Sequence, residues 1–168
     1  MKTIAILGAA GFTGRALCEK LSAQKVKLLL LSRRAGRFKN LPIKAVDLSQ
    51  PGSLAASLKN KKVDVLFYLS SAMPNDFDKN AASAGRVNDA MHKNVYQCWK
   101  EQRFHLIYAS SAAVYGQAPH PWEETVKVLP ETSYAMSKRK GEEIFLKEFE
   151  RTDLPLTILR IKAPYGLK

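Results

Sequence analysis

A tyrosine and a lysine four residues apart are the side chains in this sequence best suited to chemistry. They are Tyr134 and Lys138, in the segment Tyr-Ala-Met-Ser-Lys. A separation of four places both side chains on one face of a helix. An ammonium group beside a phenol favours the phenolate and lowers its pKa, which lets a tyrosine exchange protons with a hydroxyl group near neutral pH. The spacing therefore predicts a site of acid–base catalysis.

Two serines precede this pair, directly after an apolar segment at residues 105–109 that is predicted as a strand. Open α/β folds bind their ligands at the carboxyl ends of the strands, and Ser110 and Ser111 are predicted to lie there. Serines at a strand end also satisfy turn backbone, which is the alternative interpretation. Together with Tyr134 and Lys138, they form a predicted proton-transfer set.

Glycines recur every third residue where the first apolar segment, at residues 3–7, turns into a predicted helix. Gly8, Gly11 and Gly14 permit a tight turn and a close approach of the backbone to a ligand. The following helix begins with Phe12 and Thr13, and its N-terminus offers free N–H groups and a positive dipole to a pyrophosphate. Glycine-rich turns also connect strands and helices without any ligand. In this context the pattern predicts a dinucleotide-binding turn.

The end of the second predicted strand indicates which dinucleotide is preferred. Proteins that prefer NAD usually place an acidic residue there, which accepts hydrogen bonds from the ribose 2′-hydroxyl. This chain has Ser32, Arg33 and Arg34 instead. Because hydroxyl and guanidinium groups donate to a 2′-phosphate, NADP(H) is the favoured cofactor, with NAD(H) as the alternative. Asp47 and Leu48 follow the third predicted strand, where an acceptor reaches an adenine amino group.

Six predicted strands alternate with four predicted helices along the 168 residues. This alternation is typical of a parallel sheet with right-handed crossovers. We therefore predict an α/β fold, a Rossmann-like doubly wound parallel sheet in three α/β/α layers, with residues 1–168 forming one NAD(P)-binding domain. The predicted strands are 3–7, 27–31, 43–46, 63–69, 105–109 and 156–159, and the predicted helices are 12–24, 51–59, 80–102 and 133–152.

Composition narrows the class of protein. The formal net charge of +12 suits an anionic ligand, but the lysines are spread along the chain, so nucleic acid is not a favoured partner. No segment approaches the roughly 20 apolar residues of a membrane helix, and the N-terminus lacks the pattern of a signal peptide. Cys18 and Cys98 lack the spacing of a metal site. These features predict a soluble, cytoplasmic protein without a metal.

Further motifs extend the pattern over residues 1–166. Jointly they resemble the extended short-chain dehydrogenases/reductases, in particular the nucleotide-sugar epimerase/dehydratase group. The motifs that carry the resemblance are the opening glycines, Asp47-Leu48, Leu69-Ser70-Ser71-Ala72, Asn88, Ser111-Ala112-Ala113-Val114-Tyr115-Gly116, the Tyr134/Lys138 pair and Leu159-Arg160.

The resemblance implies a role for each matching residue. Tyr134 would be the general acid/base, and Lys138 would lower its pKa and hold the nicotinamide ribose. Ser111 would orient the reacting hydroxyl or carbonyl, which makes Ser110 the weaker candidate. The segment Leu69, Ser70, Ser71 and Ala72 would line the cofactor.

Departures from the family pattern refine the expected reaction. Dehydratases of this group carry an Asp-Glu pair where this chain has Ala112 and Ala113, which disfavours dehydration and leaves epimerisation or carbonyl reduction. In the motif R-x-x-N-x-Y-G, which ends here at Gly166, Ala163 stands where asparagine is usual. Family members continue beyond this point to build the substrate-binding lobe, which is largely absent from this chain.

The leading prediction is an NADP(H)-dependent oxidoreductase or epimerase domain that acts on a hydroxyl or carbonyl group of a nucleotide-linked sugar. One alternative is a non-catalytic NADP(H)-binding or sensor module, and another is a truncated remnant that needs a partner chain. The core edge left open by the missing lobe adds the hypothesis of a homodimer.

Overall fold

A seven-stranded sheet forms the middle layer of the protein. The structure is a computed structural model that describes residues 1–165. Its strands are β1 (Lys2–Leu7), β2 (Val26–Ser32), β3 (Gly36–Phe38), β4 (Leu41–Ala45), β5 (Val65–Tyr68), β6 (His105–Ser111) and β7 (Leu156–Ile161). Its helices are α1 (Phe12–Ser22), α2 (Ser53–Leu58), α3 (Pro74–Gln102) and α4 (Ser133–Thr152), and a 3-10 turn covers Ala112–Tyr115.

The order of the strands is β3-β4-β2-β1-β5-β6-β7. Every pairing is parallel except that of β3 with β4. Strand β1 lies between β2 and β5, so the chain reverses its direction across the sheet beside β1. Open α/β sheets bind their ligands at such a point, outside the carboxyl ends of the strands. The predicted Rossmann-like doubly wound α/β fold is confirmed.

Helices cover both faces of the sheet, as the alternation of buried side chains along β1 shows. Ile4 and Ile6 belong to a core cluster that packs beneath α1, whereas Ala5 and Leu7 belong to a second cluster beneath α2, α3 and α4. Successive side chains of a strand point to opposite faces, so a strand that is buried on both sides has an almost continuously apolar sequence. The three-layer arrangement follows. None of the helices within residues 1–165 combines the length and the apolar character needed to cross a bilayer.

The edge strand β3 was missed by the sequence analysis. It has three residues and joins β4 through a tight antiparallel hairpin in which Lys39 has a φ of 50°. Three residues are too few for a period of two to be recognised. Phe38 is the residue of β3 that contributes to the core, where it packs with Ile43 of β4.

Helix α3 begins six residues before its predicted start at residue 80. Asn80 has a non-helical backbone (φ −160°, ψ 91°), which divides α3 into a short first segment and a long second one. The Asn80 side-chain oxygen accepts a hydrogen bond from the Ser83 backbone N–H at 2.9 Å, and thereby caps the second segment. Periodicity predicted that second segment. It missed the first one, which begins with Pro74.

Helix α4 approaches the sheet closely because Gly141 has no side chain. A Cβ atom at this position would lie 2.5 Å from the Tyr108 hydroxyl oxygen and 2.9 Å from Cε1 of His92. Both of these neighbours are buried, in β6 and α3. The bounds of α4 equal the predicted ones, and its N-terminus is capped by the Thr132 hydroxyl, which accepts from the Ala135 N–H at 3.1 Å.

Replacing Gly141 with alanine is expected to lower the free energy of unfolding by roughly 1–3 kcal/mol, because the methyl group would displace two buried rings. Gly85→Ala is the matched control. Apart from its chain neighbours and the adjacent backbone of α3, no atom of the described residues lies within 4 Å of a Cβ at Gly85, and alanine in a helix interior should raise stability by roughly 0.5–1 kcal/mol. Urea unfolding of both variants checks the pair, and the same direction of change in both would contradict the expected packing.

Candidate active site

The turn between β1 and α1 is shaped by glycines that pack against each other. Gly8 has a φ of +90°, a conformation that side chains with a Cβ rarely adopt. A Cβ on Gly14 would lie 2.1 Å from the Gly8 carbonyl oxygen, so α1 starts in direct contact with the turn. Gly11 occupies the N-cap, and the first N–H groups of a helix, here those of Phe12 and Thr13, have no intrahelical partner. The turn can therefore present backbone donors to an anion.

The other predicted cofactor residues lie at the same carboxyl edge of the sheet. Ser32 ends β2, and Arg33 and Arg34 follow it as exposed residues. The residues that follow β5 are Leu69, Ser70, Ser71 and Ala72, and all four are partly buried. Ser70 lies directly beside Gly8, since its backbone nitrogen would be 3.1 Å from a Cβ on that glycine.

Asp47 and Leu48 follow β4 but play different parts. Asp47 is exposed, and its Oδ1 accepts from the backbone N–H and the hydroxyl of Ser49 at 2.9 and 2.7 Å. These hydrogen bonds hold the pKa of Asp47 below its ordinary value, and nearby Arg33 lowers it further. The Leu48 side chain is buried in the core, and its carbonyl oxygen accepts from Nδ2 of Asn94 at 3.1 Å. The structure thus leaves Asp47, and not Leu48, available to a ligand.

A cleft of about 600 Å³ contains the proton-transfer residues and reaches the start of α1. Thr13, in the first turn of α1, lines it together with Ser111, Tyr134 and Lys138, whereas Gly8, Gly11 and Gly14 are not among its described lining residues. The residues that share this lining from the β5–α3 connection and the start of α3 are Leu69, Ser71, Met73, Pro74, Phe77 and Asp78. The described lining omits Ser32, Arg33, Arg34 and Asp47, which lie at the ends of β2 and β4, on the far side of β1.

Tyr134 is half-buried in the first turn of α4. Burial raises the pKa of its phenol above the ordinary value, and a hydrogen bond with the Ser111 hydroxyl acts in the opposite direction. The Phe77 ring meets the Tyr134 ring edge to face, with the centroids 5.8 Å apart and the planes at 77°. The ring is therefore covered by α3, and Tyr134 and Ser111 line the same cleft.

The two serines at the end of β6 have different partners. The Ser110 hydroxyl is buried and donates to Oε1 of Glu142 at 2.6 Å. The Ser111 oxygen accepts from the Ala113 backbone N–H at 3.2 Å, so its proton can be donated elsewhere. Ser111 is the serine that can act on a ligand in the cleft, in line with the role that the family resemblance implied for it.

Lys138 is almost completely buried, with 4% of its surface exposed. Its ammonium group donates to the Ala109 carbonyl oxygen at 3.0 Å and lies 5.9 Å from the centre of the Tyr134 ring. Burial disfavours the charged form and lowers the pKa of Lys138 to about 8. The predicted lowering of the Tyr134 pKa by Lys138 stays a prediction, since the pKa of Tyr134 in this structure is raised by burial.

Asn88 connects the two halves of the cleft. Its buried side chain accepts from the Ala72 backbone N–H at 2.7 Å and donates to the Ser137 hydroxyl at 2.9 Å. It therefore holds the β5–α3 connection against α4. The sequence analysis named Asn88 through the family resemblance alone, and the two hydrogen bonds supply a physical reason for an asparagine here.

Two features of the site were missed. Phe77 was not identified, because the predicted helix began only at residue 80 and so left out its segment of α3. The second is Glu142, which lies four residues after Lys138 on the same helix face and accepts from Arg160 as well as from Ser110. Continuing the spacing of four from Tyr134 through Lys138 would have pointed to Glu142. Nothing in the sequence signals its distant partners.

The fold and the placement of the cleft are those of a Rossmann-like α/β protein. The chain belongs to the NAD dependent epimerase/dehydratase family, which matches residues 4–168. An uncharacterized UDP-glucose epimerase of Bacillus subtilis is 28% identical, with 97% of this chain and 57% of the relative covered. The dTDP-4-dehydro-6-deoxyglucose reductase of Escherichia coli is 26% identical, with 97% and 56% covered. The chain thus spans little more than half the length of these relatives.

Two solved structures share the fold of this chain. The ADP-L-glycero-D-manno-heptose-6-epimerase of Helicobacter pylori is 29% identical, with a TM-score of 0.79 over 95% of this chain and 54% of that one. The UDP-glucose 4-epimerase of Thermus thermophilus in complex with NAD has a TM-score of 0.84 at 23% identity, over 94% and 54%. The predicted family is confirmed. A nicotinamide dinucleotide is the class of cofactor that this family supports.

The C-terminal motif is described in part. Arg160 lies in β7, and Ala163, which replaces the usual asparagine, lines the cleft. Gly166, the last residue of the motif, lies outside the described residues.

The buried Lys138 is expected to make the stability of the chain rise with pH from about pH 8. Its pKa in the folded chain is about 8, whereas an unfolded lysine titrates near roughly 10.4, so the unfolded state binds more protons between these values. Raising the pH through this window therefore favours the folded state. The difference in unfolding free energy between wild type and Lys138→Met, measured from pH 7 to 10, isolates this contribution. Parallel pH profiles for the two proteins would contradict it.

Proposed function

We propose that this chain is the cofactor-binding and proton-transfer domain of an NADP(H)-dependent oxidoreductase or epimerase. Its substrate would be a hydroxyl or carbonyl group of a nucleotide-linked sugar. One observation carries the proposal: Thr13, in the first turn of α1, lines the same cleft as Ser111, Tyr134 and Lys138. The start of α1, whose free N–H groups suit a pyrophosphate, and the residues suited to move a proton therefore border one cavity.

The residues at the carboxyl edge fit a dinucleotide. The contact between Gly14 and the Gly8 carbonyl leaves no room for a side chain, as a turn that approaches a pyrophosphate requires. Arg33 and Arg34 are exposed at the end of β2, where they would contact the 2′-phosphate of NADP(H) together with Ser32. Asp47 would accept from the adenine amino group.

The cofactor supplies hydride exchange when it is bound. Tyr134 would donate a proton to, or accept one from, the substrate oxygen. Ser111 would donate a hydrogen bond to that same oxygen and orient it. Lys138 would hold the nicotinamide ribose, and its charge would oppose the effect of burial on the Tyr134 phenol.

Epimerisation or carbonyl reduction is favoured over dehydration. The position that would carry the second acid or base of a dehydratase is Ala113, which lines the cleft without a titratable group. The names of the relatives support the two remaining reactions, since one is a reductase of a dTDP-linked sugar and others are epimerases of UDP- or ADP-linked sugars.

The surface that positions the sugar is proposed to lie outside residues 1–168. The chain spans 56–57% of two relatives, and positioning of the substrate is a large part of catalytic power. A further segment of polypeptide, or a partner chain such as a second copy, would supply that surface.

The NADP(H) preference is tested by titrating the chain with NADPH and with NADH. NADPH should bind more tightly, and Arg33→Ala with Arg34→Ala should weaken NADPH by roughly 10- to 100-fold, the equivalent of one or two charge-assisted hydrogen bonds, with little effect on NADH. Arg103→Ala removes the same charge beside the amino end of β6, opposite the cleft, and serves as the control. NADH binding as tight as NADPH binding, or tighter, would refute the preference for NADP(H) attributed to Arg33 and Arg34. If the chain binds neither NADPH nor NADH, the proposed function is refuted.

Proton transfer by Tyr134 is tested by hydride transfer from NADPH to a panel of 4-keto nucleotide-sugars. Tyr134→Phe should reduce turnover by roughly 10²- to 10⁴-fold, the usual contribution of a general acid, while NADPH affinity is maintained. Turnover that survives this substitution would exclude Tyr134 as the acid. Tight NADPH binding without turnover would favour the non-catalytic module only if turnover were also absent once the sugar-positioning segment or partner chain is present.

A further inference from the structure

Glu142 continues the helix face that carries the proton-transfer residues. It follows Lys138 by one turn of α4 and Tyr134 by two, and a spacing of four keeps all three on one side of the helix. Its side chain has no exposed surface. A carboxylate in this position lies between α4 and the ends of β6 and β7.

Three residues donate four hydrogen bonds to the Glu142 carboxylate. The Ser110 hydroxyl donates at 2.6 Å, Nε and Nη2 of Arg160 donate at 3.0 Å each, and Nη1 of Arg139 donates at 3.0 Å. Burial alone would raise the pKa of Glu142, but the hydrogen bonds from Arg160 and Ser110 bring it below the ordinary value. The carboxylate is therefore charged, and its hydrogen bonds are of the strong, charge-assisted kind.

These partners hold the backbone on both sides of Ser111. Ser110 immediately precedes Ser111, and it pairs with Arg160 in the register of β6 and β7. The Arg160 guanidinium, fixed by Glu142, lies 4.8 Å over the ring of Tyr115 in the 3-10 turn that follows Ser111. Through Ser110 on one side and Arg160 on the other, the carboxylate links α4 to the segment that presents the Ser111 hydroxyl.

We propose that Glu142 is a positioning residue that holds the Ser111 hydroxyl at the Tyr134 phenol. The importance of Glu142 for catalysis rests on the proposed function. Its effect on the position of the Ser111 hydroxyl does not depend on that function. A buried ion pair often stabilises a protein no more than well-packed apolar residues of the same volume would. A carboxylate with four directed donors, however, is satisfied in one arrangement, and that arrangement fixes α4 relative to the end of β6.

The same helix offers a matched control. Glu148 is also a buried carboxylate of α4 and accepts from Nη2 of Arg151 at 2.7 Å and from the Tyr96 hydroxyl at 2.8 Å. These partners lie in α4 and α3, and the described contacts of Glu148 do not include β6 or the cleft. Glu148→Gln should therefore affect stability without moving Ser111.

The test measures the pKa of the phenol at position 134 without cofactor or substrate. Incorporation of 3,5-difluorotyrosine at this position brings the titration into the pH range in which the chain is folded, and ¹⁹F NMR follows it. Ser111→Ala should raise this pKa, because a donor to the phenolate is lost. Glu142→Gln should raise it as well, and the double variant should shift no further than the larger single shift, as expected when two changes remove the same interaction. Glu148→Gln should leave it unchanged.

Several outcomes would overturn the proposal: an unchanged pKa in Glu142→Gln, shifts that add in the double variant, or an equal shift in Glu148→Gln. An unchanged pKa in Ser111→Ala would overturn it too. If Glu142→Gln fails to fold, Ser110→Ala is the second variant, because it removes one donor and leaves the ion pair with Arg160. A smaller rise in the pKa of the phenol is then expected. An unchanged pKa in Ser110→Ala would refute the proposal. Failure to bind NADP(H) would refute the proposed function and leave this result intact.

Discussion

Close packing of α4 on β6 sets the geometry on which the rest of the site depends. Gly141 allows the contact, and the Tyr108 hydroxyl donates to the Lys138 carbonyl oxygen across it at 3.3 Å. Lys138 in turn donates from its side chain to the Ala109 carbonyl oxygen. Because the helix is fixed to the strand through backbone groups, Tyr134 and Ser111 are brought together by the same contact. An error of one helical residue in this register would separate them.

The second constraint is the reversal of strand order beside β1. It leaves an opening beside the ends of β1 and β5, and the cleft there is lined by Thr13 at the start of α1 and by the β5–α3 connection. Asn88 fixes this connection to α4 through Ala72 and Ser137. The cleft is therefore lined by five separate parts of the chain, namely the start of α1, the β5–α3 connection with the start of α3, the end of β6, the start of α4 and the end of β7.

The sequence predicted the periodic and local features and missed those that depend on distant contacts. Helix α4 was predicted with its observed bounds, because a clear period follows a loop rich in prolines. The strand ends were predicted well enough to place Ser111, Tyr134 and the glycine turn at one edge. Phe77 was missed because the kink at Asn80 hides the first segment of α3. Glu142 was missed because its partners Ser110 and Arg160 become neighbours only when the sheet forms.

Burial acts on the proton-transfer pair in a way that spacing alone does not reveal. It raises the pKa of Tyr134 and lowers that of Lys138, so it disfavours the charged form of each group. A phenolate and an ammonium in a site of low dielectric stabilise each other far more than two separate charges would be stabilised there. Glu142, which is paired with Arg160 and Arg139, contributes to this site through position.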